Sequence, residues 1–132
     1  MSASPVKEAV SSTNTAPIGA PYSQAIKFNG MIFVAGTCPV DPQGNHVGIA
    51  EKDVTKQTHQ VLQNIRGLLE DCGSDMSKVL KVNVFIKDMK NFKDINDVYE
   101  TYFPDPKPTR TCVEVARLPL DCLVEIECIA AQ

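Results

Sequence analysis

The chain of 132 residues is long enough for one domain with a modest hydrophobic core. Its apolar fraction of 43% is ordinary for a globular protein, and the absence of Trp indicates an aliphatic core. A net charge of −3 argues against a nucleic-acid-binding protein, and no apolar run reaches the roughly 18 residues that a membrane helix needs.

The first 15 residues are polar and rich in Ser, Thr and Ala, without an apolar core or any Arg. They are typical of neither a secretory signal nor a mitochondrial presequence. We therefore expect residues 1–15 to form a loosely ordered arm and residues 16–132 to form the domain. We also expect the protein to be cytoplasmic.

Two apolar segments, residues 22–28 and 31–37, flank Asn29-Gly30. Asn-Gly between such segments is the strongest short hairpin pattern, because both turn residues adopt positive φ. The sequence thus predicts a β-hairpin, followed by a looser stretch from Pro39 to Gly48.

The middle of the chain predicts a helix and then a strand. Between residues 53 and 72, apolar residues recur at three- and four-residue spacing, with Asp53 suited to cap the start and Gly73 to follow the end. Residues 79–87 alternate between apolar and polar side chains, which predicts a strand. Its predicted core face consists of Leu80, Val82, Val84 and Ile86.

A second helix is predicted from about Asn91 to Phe103, ended by Pro104. Its apolar stripe consists of Phe92, Ile95, Tyr99 and Tyr102. Two strands follow, at about 109–116 and 122–130, around a Leu118-Pro119 turn. The predicted order is β-β-α-β-α-β-β. Since two helices can cover only one face of such a sheet, we expect an α+β fold with a single sheet and both helices on one face.

Alternation also predicts the face that each side chain occupies. In the last strand, an apolar row should meet the helices, so Glu125 points away; the row is Val124, Ile126, Cys128 and Ala130. In the preceding strand we expect Val113 and Val115 to face the helices, which leaves Arg110 and Cys112 opposite. The sequence therefore predicts that Arg110, Cys112 and Glu125 share the uncovered face. Because such groups are costly to desolvate, they indicate a pocket for an anionic substrate at an oligomer interface.

The five cysteines are odd in number and include no Cys-x-x-Cys pair, which argues against a disulfide framework or a zinc site and favours a reducing compartment. The two histidines, His46 and His59, have no metal-ligand partner nearby in sequence, and we interpret them as solvated side chains. No phosphate-binding loop is present, so we expect neither a metal nor an organic cofactor.

Four segments closely resemble the Rid family, the YjgF-type reactive intermediate deaminases. They are PYSQAI at 21–26, VAGTCPVDP at 34–42, RTCVEVARLP at 110–119 and EIECIA at 125–130. The resemblance covers about Ala16 to Ala131, and the arginine of the third segment indicates the RidA branch. It implies a chorismate-mutase-like fold and a homotrimer with three clefts between subunits. It also implies hydrolytic deamination of 2-imino and enamine acids, such as 2-iminobutanoate and 2-iminopropanoate, to 2-keto acids and ammonia.

The resemblance assigns roles to six residues of this chain. The implied catalytic residues are Arg110, Glu125 and Cys112, and the implied substrate-binding residues are Arg110, Tyr22, Gly36 and Asn96. An arginine can hold a planar carboxylate through two parallel hydrogen bonds, and a glutamate can polarise a water and pass a proton to ammonia. We interpret Cys112 as a wall of the cleft rather than a nucleophile, since no His partners it in the sequence.

The sequence departs from the family pattern in two places. The usual Ser-Gly-Gln-Ile-Pro is Ala35-Gly36-Thr37-Cys38-Pro39 here, and Ala20 is inserted before Pro21-Tyr22. The cleft therefore lacks a serine hydroxyl and a glutamine, which puts the preferred substrate size in doubt more than the reaction.

Several interpretations stay open at this point. Arg110 could pair with Glu125 or Glu127 across strands, Cys112 could be a buried apolar residue, and Tyr22 could be ordinary strand packing. The protein could instead be an RNA-directed translation inhibitor or endoribonuclease, or a non-catalytic sensor or chaperone that binds small carboxylates. Mitochondrial members of the family make the mitochondrion an alternative location.

Overall fold

The computed structural model describes residues 5–132, and its helices and strands follow the predicted order with one strand added at the start. The strands and helices are β1 Glu8–Val10, β2 Ala25–Phe28, β3 Met31–Thr37, α1 Val54–Asp71, β4 Val79–Ile86, α2 Phe92–Tyr99, β5 Thr109–Glu114 and β6 Val124–Ala131.

The six strands form one mixed sheet in the order β1-β2-β3-β6-β4-β5. Strands β4 and β5 run parallel, and every other neighbouring pair in the sheet is antiparallel. Helix α1 packs against β3, β6 and α2, which places the aliphatic core between the sheet and the helices. The predicted α+β fold with a single sheet is confirmed. The last two strands do not pair with each other, because β4 lies between them.

The structure confirms the predicted hairpin turn and the predicted residues at the two ends of α1. Asn29 and Gly30 form the turn between β2 and β3 with φ of 53° and 79°, as a two-residue hairpin loop requires. The side chain of Asp53 accepts a hydrogen bond of 3.0 Å from the backbone N–H of Lys56 at the start of α1. Gly73, with φ of 79°, follows the end of that helix.

Helix α2 is shorter than predicted, because it ends at Tyr99 and the chain then turns. Phe103 is nevertheless only 2% exposed, and its ring centroid lies 4.5 Å from that of Tyr99. Pro104 disfavours a helical conformation at Phe103, so the helix ends before that residue. The apolar spacing therefore predicted that Phe103 is buried, but not where the helix ends.

One side chain of β4 lies on the other face from the one predicted. Leu80 is 47% exposed, whereas Val79 is 5% exposed. The pairing of β4 with β6 shifts between Val79 and Lys81, where one extra residue interrupts the alternation. Beyond this bulge the remaining core residues are fully buried as predicted: Val82, Val84 and Ile86.

The predicted faces are right for β6 and wrong for β5. The apolar row of β6 is buried under the helices. In β5, however, Arg110 pairs with buried Val82 and Cys112 with buried Val84, so both face the helices, while Val113 is 41% exposed. The edge strand β5 is only partly covered by α2, and its face is set by its register with β4 rather than by its own apolar residues.

Part of the segment predicted as a loose arm belongs to the sheet. Strand β1 pairs with β2, and the buried Gln24 side chain donates hydrogen bonds to the backbone carbonyls of Ser12 and Ala16. Asn14 donates from its side chain to the carboxylate of Asp71 in α1. The arm prediction is therefore wrong from β1 onward, because these bonds and the β1–β2 ladder tie the segment to the domain. Residues 1–4 lie outside the described residues.

Candidate functional site

Helix α2 holds the side chain of Arg110 from three positions. Arg110 Nη1 donates a hydrogen bond of 2.6 Å to Asn96 Oδ1. The guanidinium carbon lies 4.7 Å from the ring centroid of Tyr99 and 5.5 Å from that of Phe92. Phe92, Asn96 and Tyr99 are spaced four and three residues apart, so they share one face of the helix. The aromatic faces attract the cation and restrict its orientation.

The positive charge of Arg110 has no carboxylate partner within residues 5–132. The side chain is half-buried, and Glu125 and Glu127 belong to β6, separated from β5 by β4. The alternative that Arg110 pairs with either glutamate across strands is therefore wrong for this chain. Since a guanidinium carries five N–H donors, most of them remain available to an anion.

Cys112 lies two residues beyond Arg110 on the same face and is half-buried against the core. Burial raises the pKa of its thiol, an effect that the charge of Arg110 partly opposes. The thiol form is therefore favoured over the thiolate, as expected for a wall of a cleft rather than a nucleophile. The interpretation of Cys112 as a small packing residue stays open.

The carboxylate of Glu125 lies in a slot between Gly36 and Cys38. Cys38 Sγ donates to Glu125 Oε2 over 2.9 Å, and a Cβ atom at position 36 would stand 2.8 Å from Oε1. The slot is created by a bulge in β3, where the pairing with β6 shifts between Val34 and Thr37. Because both Val34 and Thr37 are buried, Gly36 and Cys38, which flank Thr37, are directed toward the side of Glu125.

A cavity of about 280 Å³ opens beside this slot. Tyr22, Gly36 and Cys38 line it, together with the apolar side chains of Ile18, Val40, Leu68 and Leu120. Tyr22 is 54% exposed and precedes β2, so the interpretation of Tyr22 as ordinary strand packing is wrong. This cavity could take the side chain of a small ligand whose reacting atom lies near Glu125.

The predicted site residues form two groups rather than one. The arginine group consists of Arg110, Asn96 and Cys112, and the glutamate group consists of Glu125, Gly36 and Tyr22. Arg110 pairs with Val82, whereas Glu125 pairs with Phe85, three residues further along β4 and on its other side. With strands about 4.8 Å apart and about 3.3 Å per residue, the two Cα atoms are about 14 Å apart, with side chains on opposite faces. The prediction that Arg110, Cys112 and Glu125 share one face is wrong.

Sequence reasoning missed three contributors to these groups. It predicts Phe92 and Tyr99 only as residues of the apolar stripe of the second helix, and Cys38 only as a departure from the family pattern. The spacing of Phe92, Asn96 and Tyr99, four and three residues apart, was the available signal for the two aromatic residues. For Cys38 the sequence carried none, because its direction depends on the bulge in β3.

His46 and His59 border the same open surface hollow, but within residues 5–132 no three His, Cys, Asp or Glu side chains are placed to hold a metal ion. His59 Nδ1 lies 3.1 Å from the hydroxyl of Tyr102. In the described part of the chain, neither helix has the length and apolar character to cross a bilayer.

Comparison with known proteins connects this geometry to a family. A sequence profile described as Endoribonuclease L-PSP matches residues 13–132. A RutC family protein of Pyrococcus horikoshii is 48% identical over 126 residues, covering 95% of this chain and 98% of that protein. Reactive Intermediate Deaminase A, chloroplastic, of Arabidopsis thaliana is 43% identical over 131 residues, covering 98% and 69%. The crystal structure of the Rid protein YyfA from Yersinia pestis superposes with a TM-score of 0.91 at 40% identity, covering 96% and 100%.

This chain belongs to the Rid family. The resemblance predicted from the four sequence segments is thereby confirmed, as is the Rid fold. The Rid relatives carry different descriptions, since one is named a deaminase while the family profile is named for an endoribonuclease. Family membership alone therefore does not distinguish between these two activities for this chain.

Proposed function

We propose that this Rid protein hydrolyses reactive 2-imino acids, such as 2-iminobutanoate and 2-iminopropanoate, to 2-keto acids and ammonia. The observation that carries the proposal is the state of Arg110, which is half-buried, held by Asn96 and two rings, and without a carboxylate partner among the described residues. A guanidinium that is held in one orientation and has no carboxylate partner suits a small carboxylate ligand. The name of the Arabidopsis relative, Reactive Intermediate Deaminase A, supports the same reaction class.

In this proposal Arg110 binds the carboxylate of the imino acid through two parallel hydrogen bonds. Each charged hydrogen bond contributes about 1.5–3 kcal/mol, and the planar fork fixes the direction of the C=N bond. Because imines react with water unaided, the protein needs to supply orientation and proton transfer more than a large lowering of the barrier.

Glu125 would orient the attacking water and accept one of its protons. With the imine protonated at nitrogen, this addition gives a neutral carbinolamine. Glu125 then returns its proton to the nitrogen, the C–N bond breaks and ammonia leaves. The hydroxyl passes its proton to the Glu125 carboxylate as the keto group forms, and the released ammonia takes that proton away as ammonium. General acid–base transfer of this kind contributes about 10²–10⁴-fold. No redox change or cofactor enters this sequence. Cys112 and Tyr22 would serve as walls on the two sides of the substrate.

We further propose that the two groups meet between neighbouring copies in a homotrimer. A small imino acid cannot bridge about 14 Å across the sheet, so one chain cannot offer both groups to it. A second copy that docks on the uncovered face of the sheet would bring its arginine group to the glutamate group of the first. That face exposes large apolar side chains, among them Phe28 at 39%, Phe33 at 44% and Val113 at 41%, as an interface between copies would require.

The first experiment generates 2-iminobutanoate in situ and measures 2-ketobutanoate release. We expect Arg110→Ala to lose at least about 10²-fold in kcat/KM, since it deletes a bidentate charged contact. Arg110→Lys is the matched control: it keeps the charge but not the fork, and it should recover only part of the rate. Full activity of Arg110→Ala would reject the mechanism.

The second experiment tests whether a site is shared between subunits. Arg110→Ala and Glu125→Gln should each be inactive alone. After co-refolding in equal amounts, each mixed trimer contains one cleft with an intact arginine and an intact glutamate, so activity should recover to about a quarter of the wild-type rate. No recovery from demonstrably mixed trimers would show that the two residues do not act in one shared cleft.

The alternatives predict different results. RNA cleavage that persists through purification and weakens with salt would favour the endoribonuclease, a role against which the sequence pI of about 5.3 argues. Binding of keto acids without any rate enhancement would favour a sensor or chaperone. A cytoplasmic location, with the mitochondrion as alternative, stays a prediction from the sequence.

A further inference from the structure

The thiol of Cys38 is the one polar hydrogen that the described residues direct at the carboxylate of Glu125. Cys38 Sγ lies 2.9 Å from Glu125 Oε2. On the other side of the carboxylate, Oε1 occupies the space beside the Cα atom of Gly36, where no side chain is present. The Cys38 thiol thus binds one oxygen of the carboxylate, and the missing side chain of Gly36 leaves room for the other. The orientation of the carboxylate depends on both residues.

The position of Cys38 follows from the bulge in β3. In a regular strand Val34, Gly36 and Cys38 would face the same way, toward the helices. The extra residue between Val34 and Thr37 turns Thr37 inward, where it is 8% exposed, and directs Gly36 and Cys38 to the side of Glu125. The bulge therefore places both Gly36 and the thiol of Cys38 next to the carboxylate of Glu125.

We propose that Cys38 is a positioning residue for Glu125: its thiol donates a hydrogen bond to Oε2 and fixes the carboxylate in the orientation that presents its remaining lone pairs to the hydrolytic water. This inference rests on the proposed function, because it gives Cys38 a role in the imine hydrolysis assigned to Glu125. Cys38 acts through Glu125 and makes no bond to the substrate.

The surroundings of Cys38 keep its thiol in the form that can donate. The neighbouring Cys122 side chain, burial and the carboxylate of Glu125 all raise the pKa of Cys38 well above its ordinary value. The thiolate, which is the nucleophilic form, is disfavoured there. A covalent or redox role for Cys38 is thus disfavoured, whereas an S–H donor is maintained across the neutral pH range.

The test compares Cys38→Ala, which removes the donor, with Cys38→Ser, which keeps one. With 2-iminobutanoate, Cys38→Ala should lower kcat about tenfold and leave KM within about twofold, because Arg110 and not Glu125 binds the carboxylate. Cys38→Ser should recover most of kcat. Cys72→Ala, at a buried cysteine at the end of α1, is the matched control and should retain wild-type kcat.

A second readout does not depend on activity. The infrared S–H stretching band of Cys38 is identified as the band lost in Cys38→Ser. In Glu125→Gln that band should move to higher frequency, because an amide oxygen is a weaker acceptor than a carboxylate. An unmoved band would overturn the hydrogen bond itself.

The outcomes separate this inference from the function on which it rests. Wild-type turnover together with an undiminished kcat in Cys38→Ala would overturn the positioning role and leave the hydrolase intact. Loss in both Cys38 variants would assign the residue to packing and likewise overturn it. Absence of turnover in the wild type would overturn the proposed function, and the positioning role with it.

Discussion

The carboxylate of Glu125 in β6 occupies the space beside Gly36 in β3 that a side chain at position 36 would need. A Cβ atom at position 36 would stand 2.8 Å from Glu125 Oε1 and 3.1 Å from its carboxyl carbon. The φ of Gly36 is not in the positive range, so the backbone does not require glycine there. The requirement comes from the carboxylate alone, which gives a test of its position.

Gly36→Ala should therefore displace the Glu125 carboxylate without unfolding the protein. The obstructing atoms are the end of a flexible side chain, so we expect a small change in Tm and a loss of at least about tenfold in kcat. Gly19→Ala, where an added Cβ meets nothing within 4 Å, is the control for a methyl group in open space. Wild-type kcat in Gly36→Ala would contradict a role for the observed carboxylate position.

Asn96→Asp should convert the free guanidinium into a paired one. The side chains are nearly isosteric, and a carboxylate at the position of Asn96 Oδ1, 2.6 Å from Arg110 Nη1, would form an ion pair that competes with the substrate. We expect KM for the imino acid to rise about tenfold, with stability equal to or above that of the wild type. Asn96→Ala separates this competition from loss of the anchor, since it removes the hydrogen bond without adding charge. An unchanged KM in Asn96→Asp would show that the free charge is not used for binding.

Tyr99 should make the protein less stable in alkali. Its hydroxyl is buried without a hydrogen-bond partner among the described residues, and burial raises the pKa of Tyr99 from 10.0 to about 12. Above pH 10 the unfolded chain loses this proton while the folded chain keeps it. The contribution of protonated Tyr99 to the free energy of unfolding is therefore fully present below pH 10. It is lost as the pH rises through about 12.

Urea denaturation of Tyr99→Phe and the wild type at several pH values isolates this effect, because all other titrating groups are shared. The difference in unfolding free energy between the two proteins should be constant below pH 10. It should shift in favour of Tyr99→Phe between pH 10 and 12. A difference that does not vary with pH would contradict burial of an unpaired hydroxyl.

Gly67→Ala should destabilise the protein, although Gly to Ala within a helix ordinarily stabilises by up to about 1 kcal/mol. An added Cβ at this position of α1 would overlap the backbone carbonyl of Asn14, where the N-terminal segment crosses the helix. Because that obstacle is backbone, we expect a loss of about 1–3 kcal/mol. Chemical denaturation measures it, and faster amide exchange in residues 8–14 would locate the cause. A gain in stability would show that the segment does not cross at Gly67.

The extent to which the sequence could predict this fold depends on how local each signal is. The turn at Asn29-Gly30 and the cap of α1 at Asp53 were predicted correctly, because turn and cap geometry are determined by neighbouring residues. The error at Leu80 has a different origin. A bulge depends on the register between two paired strands, so it cannot be predicted from the sequence of one strand alone.

The sequence by itself identified the family and the residues that the proposed reaction uses, namely Arg110, Glu125 and Gly36. Only the tertiary structure decided how those groups are distributed. The face of β5 follows from its parallel register with β4 and from the partial cover of α2. An edge strand with one neighbour can place a charged residue beside a helix at little desolvation cost, so its own alternation does not report its face. For that reason Arg110 and Glu125, close in every sequence-based expectation, lie on opposite sides of the sheet.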